Sequence, residues 1–128
     1  MVEILVESAD TLSALATRLR NRRFDFVSIH GNPHTLDLSG QALPAATNLH
    51  GASSCQGAMT HAGVTGGVAA FAIADPDGAY GTAAQVFAAD PASAARHATI
   101  DALRLADRVG ERPDLVWVSA TPGSEEQV

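Results

Sequence analysis

Apolar residues recur along this chain with two different periods, and the changes of period divide it into elements. Residues 2–6 are short and β-branched and read as a first strand. Asp10 is a good N-cap, and Leu12, Leu15, Ala16 and Leu19 then recur at i, i+3, i+4 and i+7. That spacing predicts a helix over about 10–22 with one apolar face. Arg18, Arg20, Arg22 and Arg23 crowd its last turns, where the helix dipole favours cations. Residues 24–30 alternate with period two and predict a second strand, stopped by Gly31-Asn32-Pro33. A loop over 34–45 leads to a short buried strand at 46–50. Residues 51–57 are small and carry few apolar anchors, so they read as a loop or the start of a short helix.

The apolar run 68–74 has strand length, and Asp75-Pro76-Asp77-Gly78 is a strong turn signal. Residues 79–88 read as its antiparallel partner, which predicts a hairpin at about 67–88. Asp90 as N-cap and Pro91 at the first helical position open the firmest element, a helix over 91–109, with Gly110 as its stop. Its alanines 95, 98, 102 and 106 line a narrow face. His97, Asp101, Arg104 and Arg108 fall on the polar side, where charge pairing is their expected role. Residues 114–119 read as a strand of buried type. Ser124-Glu125-Glu126-Gln127 has the form of a capping box, which begins a helix one residue before Val128. A single turn is not stable alone, so the expectation is a fragment of a longer protein or a frayed tail. The element order predicts an α/β (mixed α+β) architecture, with a mixed sheet and two main helices packed on it.

Composition narrows the function classes. The 128 residues suit a single domain, 1–128, with one core. A formal charge of −6 argues against a nucleic-acid partner, because phosphate neutralisation needs a basic surface. No lysine occurs, and all positive charges are arginine, so Schiff-base chemistry and the P-loop lysine are excluded. Cys55 is the sole cysteine, which rules out an intrachain disulfide. No apolar run approaches the roughly 18 residues of a membrane span, and residues 1–7 lack the basic segment of a signal peptide. The expected location is cytoplasmic, with no membrane partner.

Candidate chemistry is densest over 50–61. His50, Ser53, Ser54, Cys55, Thr60 and His61 stand among Gly51, Gly57 and other small residues. Such a loop can form an anion-binding concavity from backbone amides, with hydroxyls beside it for a small polar ligand. The competing explanation is that the glycines only make turns and the serines only cap a helix. Cys55 would be a nucleophile if His50 or His61 lowered its pKa, but no third group to orient the base is evident. His50, Cys55 and His61 lack zinc spacing. His30 and His34 have it, but Pro33 breaks the helix that would align them. The expectation is no metal. A single axial haem ligand obeys no spacing rule, so His30, His50, His61 and His97 stay open for haem. The motifs G-x-S-x-G, H-E-x-x-H and the P-loop are missing, so no catalytic residue is assigned.

The stretch Leu49-His50-Gly51-Ala52-Ser53-Ser54-Cys55-Gln56-Gly57 resembles the Gly-Cys-Ser-Thr-Ala-Gly-Glu type motif of the FIST sensory domain's N-terminal part. The glycine-led segment 66–88, the helix 91–109 and Pro113-Asp114-Leu115-Val116-Trp117-Val118-Ser119 follow in that family's order. Thr121-Pro122-Gly123-Ser124-Glu125-Glu126 resembles its loop and glutamate-bearing helix start. The resemblance covers roughly residues 24–128. Here cysteine follows the serine pair instead of preceding it, and Gln56 and Ala58 replace expected types.

The resemblance implies the truncated N-terminal portion of a non-enzymatic, intracellular sensory domain in signal transduction. Its ligand would be a small polar molecule such as an amino acid or metabolite, held by Ser53, Ser54, Cys55, Gly57 and Thr60. No cofactor is expected. The alternatives are a haem-based nitric oxide sensor using His50 or His61, and a Cys55-nucleophile enzyme. Expected partners are the remainder of a FIST-type protein or a signalling protein, or a second copy through an exposed apolar face.

Overall fold

The computed structural model describes residues 1–36, 43–54, 57–86, 90–124 and 128. The chain is mixed α+β and divides into two compact units, Met1–Gly78 and Ala79–Val128.

The first unit contains β1 (Glu3–Ala9), α1 (Leu12–Leu19), β2 (Phe24–Gly31), β3 (Ala46–Ser53), β4 (Ala58–Thr60), β5 (Gly63–Thr65) and β6 (Val68–Ala74). Four strands form one sheet in the order β1-β6-β2-β3, and β4 and β5 form a two-stranded ribbon. β6 runs antiparallel to both β1 and β2, whereas β2 and β3 are parallel. Antiparallel pairing is therefore present, but not as the hairpin expected over 67–88. Both edges of β6 are occupied by β1 and β2, so no edge is left for the residues that follow it. Residues 79–86 form no strand, and 87–88 lie outside the described residues.

α1 is shorter than the expected 10–22, and Thr11, not Asp10, caps it. The Ala14 N–H donates to Thr11 Oγ1 at 3.2 Å, the three-residue reach that a capping hydroxyl requires. Leu12, Leu15 and Leu19 are fully buried from the helix side. They join Val27 and Ile29 of β2, and Val68, Ala70 and Ala72 of β6, in one core. The small alanines of β6 make room for the leucines, so volume is shared across the layer. Two of the four clustered arginines reach β1. Arg22 pairs with Glu3, and Arg18 lies 3.7 Å from Glu7 while donating to the Ser8 carbonyl. These pairs are exposed and contribute about 0–1 kcal/mol each.

Gly67 is where β6 enters the sheet. A Cβ there would stand 2.1 Å from the Ala9 carbonyl oxygen, so only glycine permits this approach to the end of β1.

The second unit is built around α2 (Pro91–Leu105). Asp90 caps it, accepting from the Ser93 N–H at 3.0 Å, and Pro91 opens it as the sequence predicts. The helix stops before 109, and Gly110 is not its stop. Asp107 adopts a left-handed conformation (φ 55°), with the Arg108 N–H bonded to the Leu103 carbonyl and the Asp107 N–H to Arg104. That pair of bonds is a Schellman ending, with aspartate at the position glycine usually takes.

Residues 79–86 run along this helix. A Cβ on Gly81 would meet the Ala102 carbonyl at 2.0 Å, and Gln85 Nε2 donates to Asp101 at 2.9 Å. The narrow alanine face thus receives a backbone at close range. Arg104 pairs with Asp101 on the polar side as expected. Residues 114–119, expected as a buried strand, enter no ladder, and Leu115 and Trp117 are 77% and 45% exposed. A strand exists only against a partner edge, and the described residues of this unit supply none. The expected capping box falls largely on 125–127, outside the described residues. No helix among the described residues is long and apolar enough to cross a membrane.

Candidate functional site

The period of two sorts the main sheet into two faces. One face carries Val27, Ile29, Ala70 and Ala72 and packs under α1. The other carries Phe26, Ser28 and His30 from β2. By register, Phe71 of β6 and His50 of β3 both lie opposite Ser28, and Ala52 lies opposite His30. Ile4 and Val6 of β1 extend this face and are 60% and 38% exposed.

Three polar side chains converge on this apolar surface. Ser28 Oγ lies 2.8 Å from His30 Nε2 and 2.8 Å from His50 Nδ1. Ser28 is fully buried, while both histidines are half-buried. The two imidazoles are tilted by 50° with centroids 5.5 Å apart. Burial pushes the pKa of both below the usual histidine value, and for His50 the neighbouring His30 adds to the effect. Both rings therefore favour the neutral state, in which each has one donor and one acceptor nitrogen. The parallel β2–β3 pair produces this arrangement, because it aligns Ser28 with His50 and leaves His30 two residues further along the same face.

The residues singled out from the sequence are placed differently. β3 continues through Ser53, so 51–53 is strand and not loop. Ser53 stands opposite Gly31, directly beyond His30 in register, and the Ser54 N–H donates to the Gly31 carbonyl at 2.8 Å. Ser53 thus ends the parallel pair with the parity of the face under α1, opposite to that of the histidines, and Ser54 follows it. Gly57 has φ 99°, and a Cβ there would strike the Thr65 carbonyl at 2.0 Å, so it serves the β4–β5 ribbon. Thr60 is committed to the ribbon's turn, donating to the Gly63 carbonyl and accepting from the Ala62 N–H. His61 is exposed in that turn, and His97 is exposed on α2 beside Ser93. Cys55 lies outside the described residues. Among the described residues no group of three or more His, Cys, Asp or Glu side chains could hold a metal ion.

Ser28 escaped the sequence reading. The alternation of 24–30 places Ser28 and His30 on one face, and that was a usable signal. His50 joins them only through strand register, which no local pattern announces. Comparison with protein-family models, curated proteins and solved structures finds no match.

Proposed function

We propose that this chain is a small-ligand-sensing module of the kind its resemblance to the FIST N-terminal part implies, acting in signal transduction without catalysis. The observation that carries this reading is the convergence of His30 and His50 on the buried Ser28 hydroxyl, on a sheet face otherwise lined by Phe26, Phe71 and Val6. Ligand sites commonly combine an apolar lining with a few placed polar groups. The cluster also lies near the carboxyl ends of β2 and β3, where open sheets containing parallel strands tend to bind ligands. Ser53 and Ser54 close β3 beside Gly31, and Cys55 follows them in sequence. A ligand seated here would reach the connections leaving β2 and β3, a route by which binding could be passed to a signalling partner.

The test is a screen of amino acids and small metabolites against the whole chain. Thermal stabilisation should accompany movement of the His30 and His50 ring signals in NMR spectra. A folded sample whose histidine signals ignore every compound would overturn the reading.

A haem-sensing version draws support from His50, whose Nδ1 is held by Ser28, an orienting contact of the type that fixes ligand imidazoles. Reconstitution with haem should then give a Soret band that His50→Ala abolishes while His61→Ala does not.

A further inference from the structure

We propose that the His30–Ser28–His50 cluster binds a small organic carboxylate with an apolar or aromatic body, and that the anion is taken up together with one proton. This rests on the small-ligand reading above and names the class of ligand for the same site.

Proton arithmetic at Ser28 comes first. The hydroxyl has one hydrogen and can donate to only one imidazole, so the other imidazole must donate its N–H to Oγ. With both rings neutral, the three groups form a head-to-tail chain, and reversing it swaps both tautomers. One added proton leaves both hydrogen bonds intact. It makes the donating ring an imidazolium, while Ser28 still donates to the neutral ring. A second proton would aim two N–H groups at Oγ, end the hydroxyl's donation to a ring, and place two like charges on rings 5.5 Å apart. The cluster is therefore built to hold one proton.

The surroundings set the ligand's sign and body. No arginine lies on the β strands of this sheet, and Arg18 and Arg22 are paired with Glu7 and Glu3 of β1, whose parity is that of the face under α1. Asp25 of β2 has that parity too, and its carboxylate accepts from the Asp75 N–H. On the histidine face, the other positions of β1, β2, β3 and β6 are apolar apart from Ser8 and Asn48, so His30 and His50 are the titratable groups that these strands place on it. Positive charge from these strands then comes from a proton on the pair. Burial holds both rings neutral near pH 7, so the proton arrives with the anion. The carboxylate pairs with the imidazolium charge. Phe71, opposite Ser28, and Phe26, two residues before it, offer ring surface to the rest of the molecule.

Phenylacetate is the probe, with phenylacetamide as its neutral isostere and inorganic phosphate as an anion without an apolar body. Calorimetry and histidine NMR follow binding to the whole chain from pH 5.5 to 8. Phenylacetate affinity should fall about tenfold per pH unit above the free pair's pKa, the signature of one-proton linkage. One imidazolium should appear on binding, and His30→Phe/His50→Phe should abolish the pH-dependent binding. Phenylacetate binding that is independent of pH, or phenylacetamide binding as tightly, would overturn the proposal while leaving the small-ligand reading standing. Phosphate binding as well as phenylacetate would overturn the organic carboxylate. If phenylacetate leaves the His30 and His50 signals unmoved at every pH, the proposal fails. If amino acids and phenylacetamide also leave them unmoved, the small-ligand reading fails with it.

Discussion

Replacing Ser28 with alanine isolates the energy of the cluster, because it removes one oxygen and little volume. Two bonds of 2.8 Å disappear at once. A neutral hydrogen bond contributes about 0.5–1.5 kcal/mol net, and stranding a buried partner costs about 1–3 kcal/mol. Both imidazoles are half-buried, so water recovers part of each loss. The expected destabilisation is about 1–2 kcal/mol. With a urea m-value of about 2 kcal/mol/M, mid-range for a small protein, the midpoint should drop by about 0.5–1 M. Far-UV circular dichroism is the suitable signal, since Tyr80 and Trp117 both belong to the second unit. The control is the same substitution in a His30→Phe/His50→Phe background. There Ser28→Ala should cost less than about 0.5 kcal/mol, because the partners are already gone. Equal costs in the two backgrounds would show that the hydroxyl stabilises something other than the histidines, and would refute the reasoning.

Three further outcomes are expected. His30 and His50 have lowered pKa values in the folded chain, so the unfolded chain binds more protons as the solution is acidified; stability is fully present above about pH 6.5 and declines as pH falls through the folded pKa values, a slope that urea midpoints at pH 7.5, 6.5 and 5.5 should show and that His30→Phe/His50→Phe should reduce. Gly67→Ala should destabilise the sheet by more than about 2 kcal/mol, since its Cβ would collide with the Ala9 carbonyl; amide hydrogen exchange in β1 should accelerate most, and unchanged protection there would count against the contact. Asp107→Gly should stabilise α2 by about 0.5–1 kcal/mol by removing the cost of a left-handed aspartate, measured through Trp117 fluorescence in urea; a loss of stability would mean that the aspartate side chain supports the helix end.

The elements that sequence made legible are those whose partners matter least to their pattern. Leu12, Leu15 and Leu19 announce α1, the alternation of 24–30 announces β2, and Asp90-Pro91 announces α2, because each signal is local. The apolar run 68–74 is β6 as expected. Apart from the helix boundaries, where Thr11 caps α1 and Asp107 ends α2, the failures are questions of partnership. Residues 79–88 look like a strand beside a strong turn, but β6 has both edges filled. Residues 114–119 are apolar enough for a strand, but the described residues of their own unit supply no edge to join. Residues 51–53 look like loop because Gly51 and Ser53 lack strand propensity, yet pairing with Ile29 and Gly31 holds them extended. The candidate site divides the same way. The hydroxyls and histidines of 50–61 were visible as chemistry, but Gly57 and Thr60 are occupied by the β4–β5 ribbon. The cluster that forms draws on Ser28, 22 residues away from His50.

β1 is the first strand in the chain, and its neighbour in the sheet, β6, follows roughly sixty residues later. At about 5–20 residues per second of synthesis, β1 waits about 3–12 seconds for an edge to join. During that interval Ile4, Leu5 and Val6 are a short apolar strand without a ladder, available to chaperones or to another nascent copy. Glu3 and Glu7 flank them with negative charge. Gatekeeping of this kind is what such a delay calls for. The same carboxylates that later pair with Arg22 and Arg18 would thus have an earlier task on the ribosome.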